Sequence, residues 1–302
     1  MALRIGTSGW NYPTGNGTWN GIFYPSPEDR PRGFDELRFY AERFNTVEVN
    51  STFYGQPRAN ATLGWAKRTP QDFDFTVKLF QKFTHPKLAI DQTPITQADI
   101  DVFKGGVDPL AAAGKLGPLL AQFPSSFQRT QEAVDYLGWL LNAFDGYELA
   151  IELRHRSWSD SPNTMLLLDQ HQAAWVQIDE PKFSSSIRQD LVGGNAGLYY
   201  LRLHGRNASQ WWDHAESEDR YNYFYSPQEL APIAEVVKDV RSMVKKAYLF
   251  FNNHFSAQSI ANATTLKHML DEPITARMPP ELVERFPDLA GIVSTLPRAR
   301  LL

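Results

Sequence analysis

Apolar residues recur along this chain in two rhythms. Short stretches alternate between apolar or β-branched and polar positions, as in Thr46-Val47-Glu48-Val49-Asn50, and these predict strands. Eight strands follow from this reading: Arg4 to Trp10, Thr46 to Phe53, Asp74 to Phe80, Leu116 to Phe123, Tyr147 to Arg154, Ala174 to Asp179, Leu198 to His204 and Ala247 to Asn253. Between them the period lengthens. Phe34, Leu37, Ala41 and Phe44 fall at helical spacing, as do Val134, Leu137, Leu141 and Phe144. Leu230, Ile233, Val237, Val240 and Val244 form a third stripe before the last strand, and Ile260, Ala263, Leu266 and Leu270 a fourth after it. Strands alternating with helices predict βα units and a parallel sheet. Eight units with no break in composition predict a single (β/α)8 barrel of the TIM type over residues 1–302, with 273–302 as an extension packed on its exterior. No GxGxxG follows the first strand, so an open dinucleotide-binding sheet lacks its mark.

The composition agrees. A length of 302 residues suits two ordinary domains or one large barrel, which commonly takes about 250, so length alone does not decide; 42% hydrophobic with 21% charged residues is ordinary for a globular protein. A net charge of −4 gives no global attraction to nucleic acid, which would need a local basic patch. With 0 Cys there are no disulfides, thiolate metal sites or cysteine nucleophiles. The first residues lack the apolar core of a signal peptide, and no apolar run reaches the roughly 18 residues of a membrane span. A cytoplasmic protein with no membrane partner is expected.

Parity along the strands then picks out chemistry. Where Val47 and Val49 face the helices, Glu48, Asn50 and Thr52 face the interior. By the same rule Glu148, Ala150, Glu152 and Arg154 face inward in the fifth strand, and Arg202 and His204 in the seventh. Lys78, Gln122, Gln177, Asp179, Asn252, Asn253 and His254 stand at strand ends. Barrel interiors are normally layers of Val, Ile and Leu, so buried charges here must be compensated. Glu48, Glu152 and Asp179 balance Lys78, Arg154 and Arg202 in number, and two readings stay open: an ion-pair network that satisfies itself, or an active site at the carboxyl ends of the strands.

On the second reading, Glu48 or Glu152 is a general acid or base, His204 the second proton-transfer group, and Lys78 either a charge-stabilising group or a Schiff-base nucleophile. Arg154 and Arg202 suit an anionic group. Asn50, Tyr54, Gln122, Asp179, Trp211, Asn252 and Asn253 complete the substrate-binding set, the asparagine pair also being able to cap the following helix. Two long connections, Gly9 to Arg32 and Gly205 to Pro227, carry Trp10, Tyr12, Trp19, Trp211, Trp212, Tyr221 and Tyr225, whose rings could stack on a sugar or base. A glycosidase version requires two carboxylates about 5 to 10 Å apart with no cation between them. No HExxH, P-loop or GxSxG is present. No cofactor is expected; the alternative is a divalent metal on Glu48, Glu152, Asp179 and His204, against which the neighbouring lysine and arginines count.

The segments GTSGWNY, FNTVEVNSTFYGQP, FDFTVKLFQKFTHP, LLAQFPSSF, LAIELRHRSW, YYLRLHGRNASQWW, YNYFYSPQEL and FFNNHFSAQSIANA run in order over nearly the whole chain. Together they resemble the YecE-like family, also called domain of unknown function seventy-two. The resemblance implies a single TIM-barrel domain and transfers no activity. The chain departs from the family pattern after FNNH, where Phe255 and Ser256 stand. The combined expectation is a hydrolase or lyase acting on a small anionic sugar- or phosphate-containing substrate. The alternatives are a nucleic-acid or ligand-binding barrel without turnover, or, by analogy of fold, a metal-dependent phosphodiesterase like endonuclease IV.

Overall fold

Short apolar-rich runs build nine strands among the residues that the computed structural model describes, which are 2–85, 93–190, 197–209, 211 and 219–297. They are β1 (Ala2–Thr7), β2 (Thr46–Val49), β3 (Asp74–Lys78), β4 (Leu116–Gln122), β5 (Leu149–Glu152), β6 (Ala174–Trp175), β7 (Gln177–Asp179), β8 (Leu198–Leu203) and β9 (Lys246–Phe251). Every strand pairing is parallel. One sheet has the order β1-β9-β8-β7 and the other β2-β3-β4-β5-β6.

All eight predicted strands are therefore present, the sixth in two pieces. Its break at Val176 is where the chain passes from one sheet to the other, and the Val176 N–H still reaches Ile151 O at 3.0 Å. The other seam lies between β1 and β2, joined by a single parallel bridge from Ser8 to Glu48 and by Gly9 N–H to Glu48 O at 2.8 Å. The expected continuous ring is thus observed as two parallel sheets in a mixed α/β fold.

The predicted β2 also ends early. Asn50 turns into the helical region, and Ser51–Phe53 forms a 3-10 turn in which Thr52 Oγ1 donates to Val49 O and Lys78 O at 3.1 and 2.6 Å. A hydroxyl that can bond local carbonyls competes with the ladder. Asn50 and Thr52 accordingly leave the strand, and Thr52 faces backbone instead of the interior.

Helices pack their apolar stripes on the sheets. Gln97–Ala112 and Pro227–Val240 open with capping boxes, Thr96 with Asp99 and Ser226 with Glu229, while Thr130 caps Gln131–Ala143. Helix Gln258–Met269 is buried along much of its length, and its polar residues are used internally, Asn262 bonding the backbone of Tyr225 on both sides. Beyond Pro273, Met278, Leu282, Phe286 and Leu289 are buried, and Phe286 stacks on Phe224 with centroids 5.0 Å apart. No helix among the described residues is long and apolar enough to cross a membrane.

Candidate functional site

The alternation that buries Val47, Ile151 and Leu201 on one face of their strands sends polar side chains into the space between the sheets, where they bond in layers. Near the strand starts, Arg4 and Tyr248 both reach Asp74, at 2.8 and 2.9 Å. Glu148 stays at that end, paired with Lys246 at 3.0 Å. One layer up, Tyr200 Oη lies 3.1 Å from Thr76 Oγ1 and donates to Glu48 Oε2 at 2.8 Å. Above it Arg202 donates from Nε and Nη2 to Glu48 at 2.9 and 2.7 Å, and from Nη1 to Glu152 at 2.5 Å. Ser8 supplies Glu48 with a further donor at 2.8 Å.

Arg202 therefore stands between the two carboxylates, which are fully buried. Burial alone would raise the Glu152 carboxyl, but Arg202 and Arg154 hold it well below the usual carboxylate range. The glycosidase version fails on this geometry, because a guanidinium occupies the position that the substrate would need.

The top layer faces a cavity of about 750 Å³ at the carboxyl ends of the strands. Lys78, at the end of β3, donates to Gln122 Oε1 at 2.6 Å and lies over the Phe53 ring at 4.1 Å, and it makes no ion pair among the described residues. Burial, with Arg202 adding to it, pushes its ammonium down to about 7. Arg154 follows β5 and donates from Nε to Glu152 at 2.6 Å, with Nη2 3.3 Å from His204 Nε2. Burial and the two arginines push His204 down to about 3, so it is neutral near pH 7. Its Nδ1 lies 2.9 Å from the Asn252 amide.

Of the sequence candidates, Asn50, Tyr54, Lys78, Gln122, Arg154, Arg202 and Asn252 line this one cavity. Glu48, Glu152 and His204 sit directly behind it, bonded to its arginines. Asp179, Trp211 and Asn253 do not line it. Asp179 pairs with Arg206 at 2.9 Å and accepts from Tyr225 at 2.6 Å. Trp211 is buried edge-on to His204, and Trp212 lies outside the described residues. Asn253 ties down the chain, bonding Tyr223 O and Asn262. Of the loop aromatics, Trp10, Tyr12 and Tyr221 line the cavity, whereas Trp19 and Tyr225 are buried.

Sequence reasoning missed four contributors. Tyr200 shares the parity of Arg202 and was open to the same rule. Ser8 lies within the predicted first strand at the same parity as Arg4 and was open to that rule too, whereas Glu180 follows a strand end and Arg220 lies in a long loop, where periodicity gives no direction. No group of three or more His, Asp or Glu side chains among the described residues could hold a metal ion. Of the four metal candidates, Glu48 and Glu152 face Arg202 and Asp179 faces Arg206.

The fold and this cavity define a parallel α/β protein with a cation-lined site at the carboxyl ends of its strands. Residues 4–284 match the family described as "Protein of unknown function DUF72", and the chain belongs to that family. It is 28% identical over 288 residues to the UPF0759 protein YunF of Bacillus subtilis, covering 93% of this chain and 99% of that one. It is 29% identical over 126 residues to the UPF0759 protein YecE of Escherichia coli K12, covering 41% of this chain and 43% of that one. Among solved structures, the DUF72 family protein TM1631 of Thermotoga maritima is 34% identical with a TM-score of 0.75, covering 90% of this chain and 100% of that one. The DUF72 family protein EF0366 of Enterococcus faecalis is 25% identical with a TM-score of 0.77, covering 91% and 99%.

Proposed function

We propose that the protein is an enzyme of the hydrolase or lyase class that binds a small anionic, sugar- or phosphate-containing substrate in this cavity, and that Lys78 is its reactive amine. We further read the two sheets as one (β/α)8-type barrel whose ladder is interrupted at the Val176 and Ser8–Glu48 seams. The observation that carries the functional reading is the lining: Lys78, Arg154, Arg202 and Arg220 face the cavity, and no Asp or Glu among the described residues does. Guanidinium groups held by a fixed network are preorganised donors for an oxyanion.

The cavity is far larger than a phosphate, and Trp10, Tyr12, Tyr54 and Tyr221 give its outer part aromatic faces suited to a sugar ring. An amine near pKa 7 is substantially neutral at physiological pH, so Lys78 can take a proton from the substrate or condense with its carbonyl. The locked carboxylates leave this role to the lysine. Glu48 and Glu152 act instead as the counter-charges that hold Arg202 and Arg154 in place.

Calorimetric titration with inorganic phosphate and a panel of phosphorylated sugars tests the reading. Binding should weaken at least tenfold in Arg154→Met, and any turnover should vanish in Lys78→Met while binding survives. Failure of inorganic phosphate and of every phosphorylated sugar in the panel to bind the wild type would sink the proposal. Borohydride trapping with carbonyl substrates separates the two roles of Lys78: a mass adduct on that residue assigns Schiff-base chemistry, and its absence during turnover assigns proton transfer.

A further inference from the structure

Arg154 is held unevenly. Its Nε makes a short bond to Glu152 Oε1 at 2.6 Å, but its other contacts are long: Nη2 is 3.3 Å from His204 Nε2, and Nη1 is 3.5 Å from Glu180 Oε2. The guanidinium is thus anchored at one corner and loose along the edge that can turn to the cavity. Glu180 is the other half of that loose contact. It directly follows β7, its side chain is 5% exposed, and its Oε2 has no hydrogen-bond partner. A buried carboxylate oxygen left without a donor is costly, and either a closer cation or a proton relieves it.

We propose that Glu180 is a positioning residue for the anion site: it shares Arg154 with Glu152 when no anion is bound, and takes up a proton from solvent when an anion draws the guanidinium into the cavity. The proposal rests on the anion-binding reading above. The charged groups facing Glu180 are Arg154 beyond β5, Glu152 in β5, Arg202 in β8 and Lys182 on its own loop. Lys182 is turned aside, its Nζ donating to Ile178 O at 3.1 Å. Arg202 is committed to Glu48 and Glu152. Arg154 is therefore the cation whose movement changes the surroundings of Glu180. Burial already raises the Glu180 carboxyl, with Glu152 adding to the effect against Arg154, so a further loss of positive charge shifts it in the direction of protonation. This also gives the site the proton-exchanging carboxyl that Glu48 and Glu152, locked on Arg202, cannot be.

The test uses sulfate, which does not itself titrate in the range used, and calorimetry in two buffers of different ionisation enthalpy at pH 5.5 to 6. In that window Lys78, at about 7, is already protonated, while His204 and His254, at about 3 and about 4, stay neutral. The wild type should take up a fraction of a proton, rising toward about one, per sulfate bound. Glu180→Gln should bind sulfate with that uptake abolished, and Lys78→Met should retain it. Equal uptake in wild type and Glu180→Gln would overturn the proposal. If sulfate does not bind the wild type at all, the anion-site reading fails instead. A second measurement then decides on Glu180 alone, since its raised carboxyl favours the fold below the unfolded pKa and loses that advantage as pH rises. The stability of wild type relative to Glu180→Gln should fall on going up from about pH 4.5, and a flat difference between pH 4 and 7.5 would show that Glu180 holds no proton.

Discussion

Arg202 separates two carboxylates that would otherwise share a dry interior with no counter-charge between them. Removing one partner of a buried ionic cluster leaves uncompensated charge, at a cost of about 3–5 kcal/mol. Arg202→Met should therefore lose stability on that scale in urea unfolding, and Glu48→Gln added to it should restore part of the loss. A cost under about 1 kcal/mol would mean that the network is not the support described above. Lys78 makes the opposite case, a cation placed where charge is disfavoured. Its amine is neutral in the fold above about pH 7 but keeps its proton in the unfolded chain up to its ordinary value of 10.5, so the unfolded state binds more protons in between. Wild type should gain stability relative to Lys78→Met as pH rises from 7 toward 10.5, with a constant difference below 7. Lys78 was legible as a strand-end residue, and strand parity was enough to place Glu48, Glu152 and Arg202 on inward faces. It could not say which of them would bond, because the Glu48–Arg202 and Glu152–Arg202 pairs join different sheets, and nothing local encodes that meeting.

Short elements carry the strain of this architecture. After β9 the chain enters helix Gln258–Met269 through Ser256 and Ala257, both at positive φ, 48° and 62°. A side chain there costs roughly 1–2 kcal/mol per residue, and the loop is kept in place by Ser256 N–H on Gly17 O and Ser256 Oγ on Asn16 O. Ala257→Gly relieves that strain against an entropic loss of roughly 0.5–1 kcal/mol, so stability should be unchanged or higher by up to about 1.5 kcal/mol in urea unfolding. A clear loss would show that the methyl group of Ala257 packs productively. This is also the stretch where Phe255 and Ser256 depart from the expected family pattern, and no local periodicity announces a left-handed pair of residues. The early end of β2 has the same origin. Thr52, Phe53 and Tyr54 have strand-forming composition, but the Thr52 hydroxyl bonds Val49 O and Lys78 O and closes a 3-10 turn. That turn sets Phe53 beneath Lys78 and leaves Tyr54 74% exposed at the cavity mouth.

Across the whole molecule, the alternation of strand and helix periods sufficed for the order and parallel sense of the strands, since each period reports burial on one face. The seams were illegible, because they depend on how closely two backbones approach. Gly6 shows this: a Cβ there would collide with the carbonyl oxygen of Thr46 and lie 2.9 Å from Tyr40 Oη. Gly6→Ala should push β1 away from β2, costing about 1–3 kcal/mol in thermal or urea unfolding. It should also weaken anion binding by disturbing Ser8 and Glu48. The polar layers between the sheets have a calorimetric consequence. Hydrating apolar surface on unfolding raises heat capacity by about 0.45 cal/K/mol/Å², whereas hydrating polar surface lowers it by about 0.26. A molecule whose innermost space holds Arg4, Asp74, Tyr200, Glu48, Arg202 and Glu152 should therefore unfold with a heat-capacity increment below the usual 12–15 cal/mol/K per residue, as scanning calorimetry would measure. Its stability should accordingly change less steeply with temperature than that of an equally long chain closed around leucine and valine.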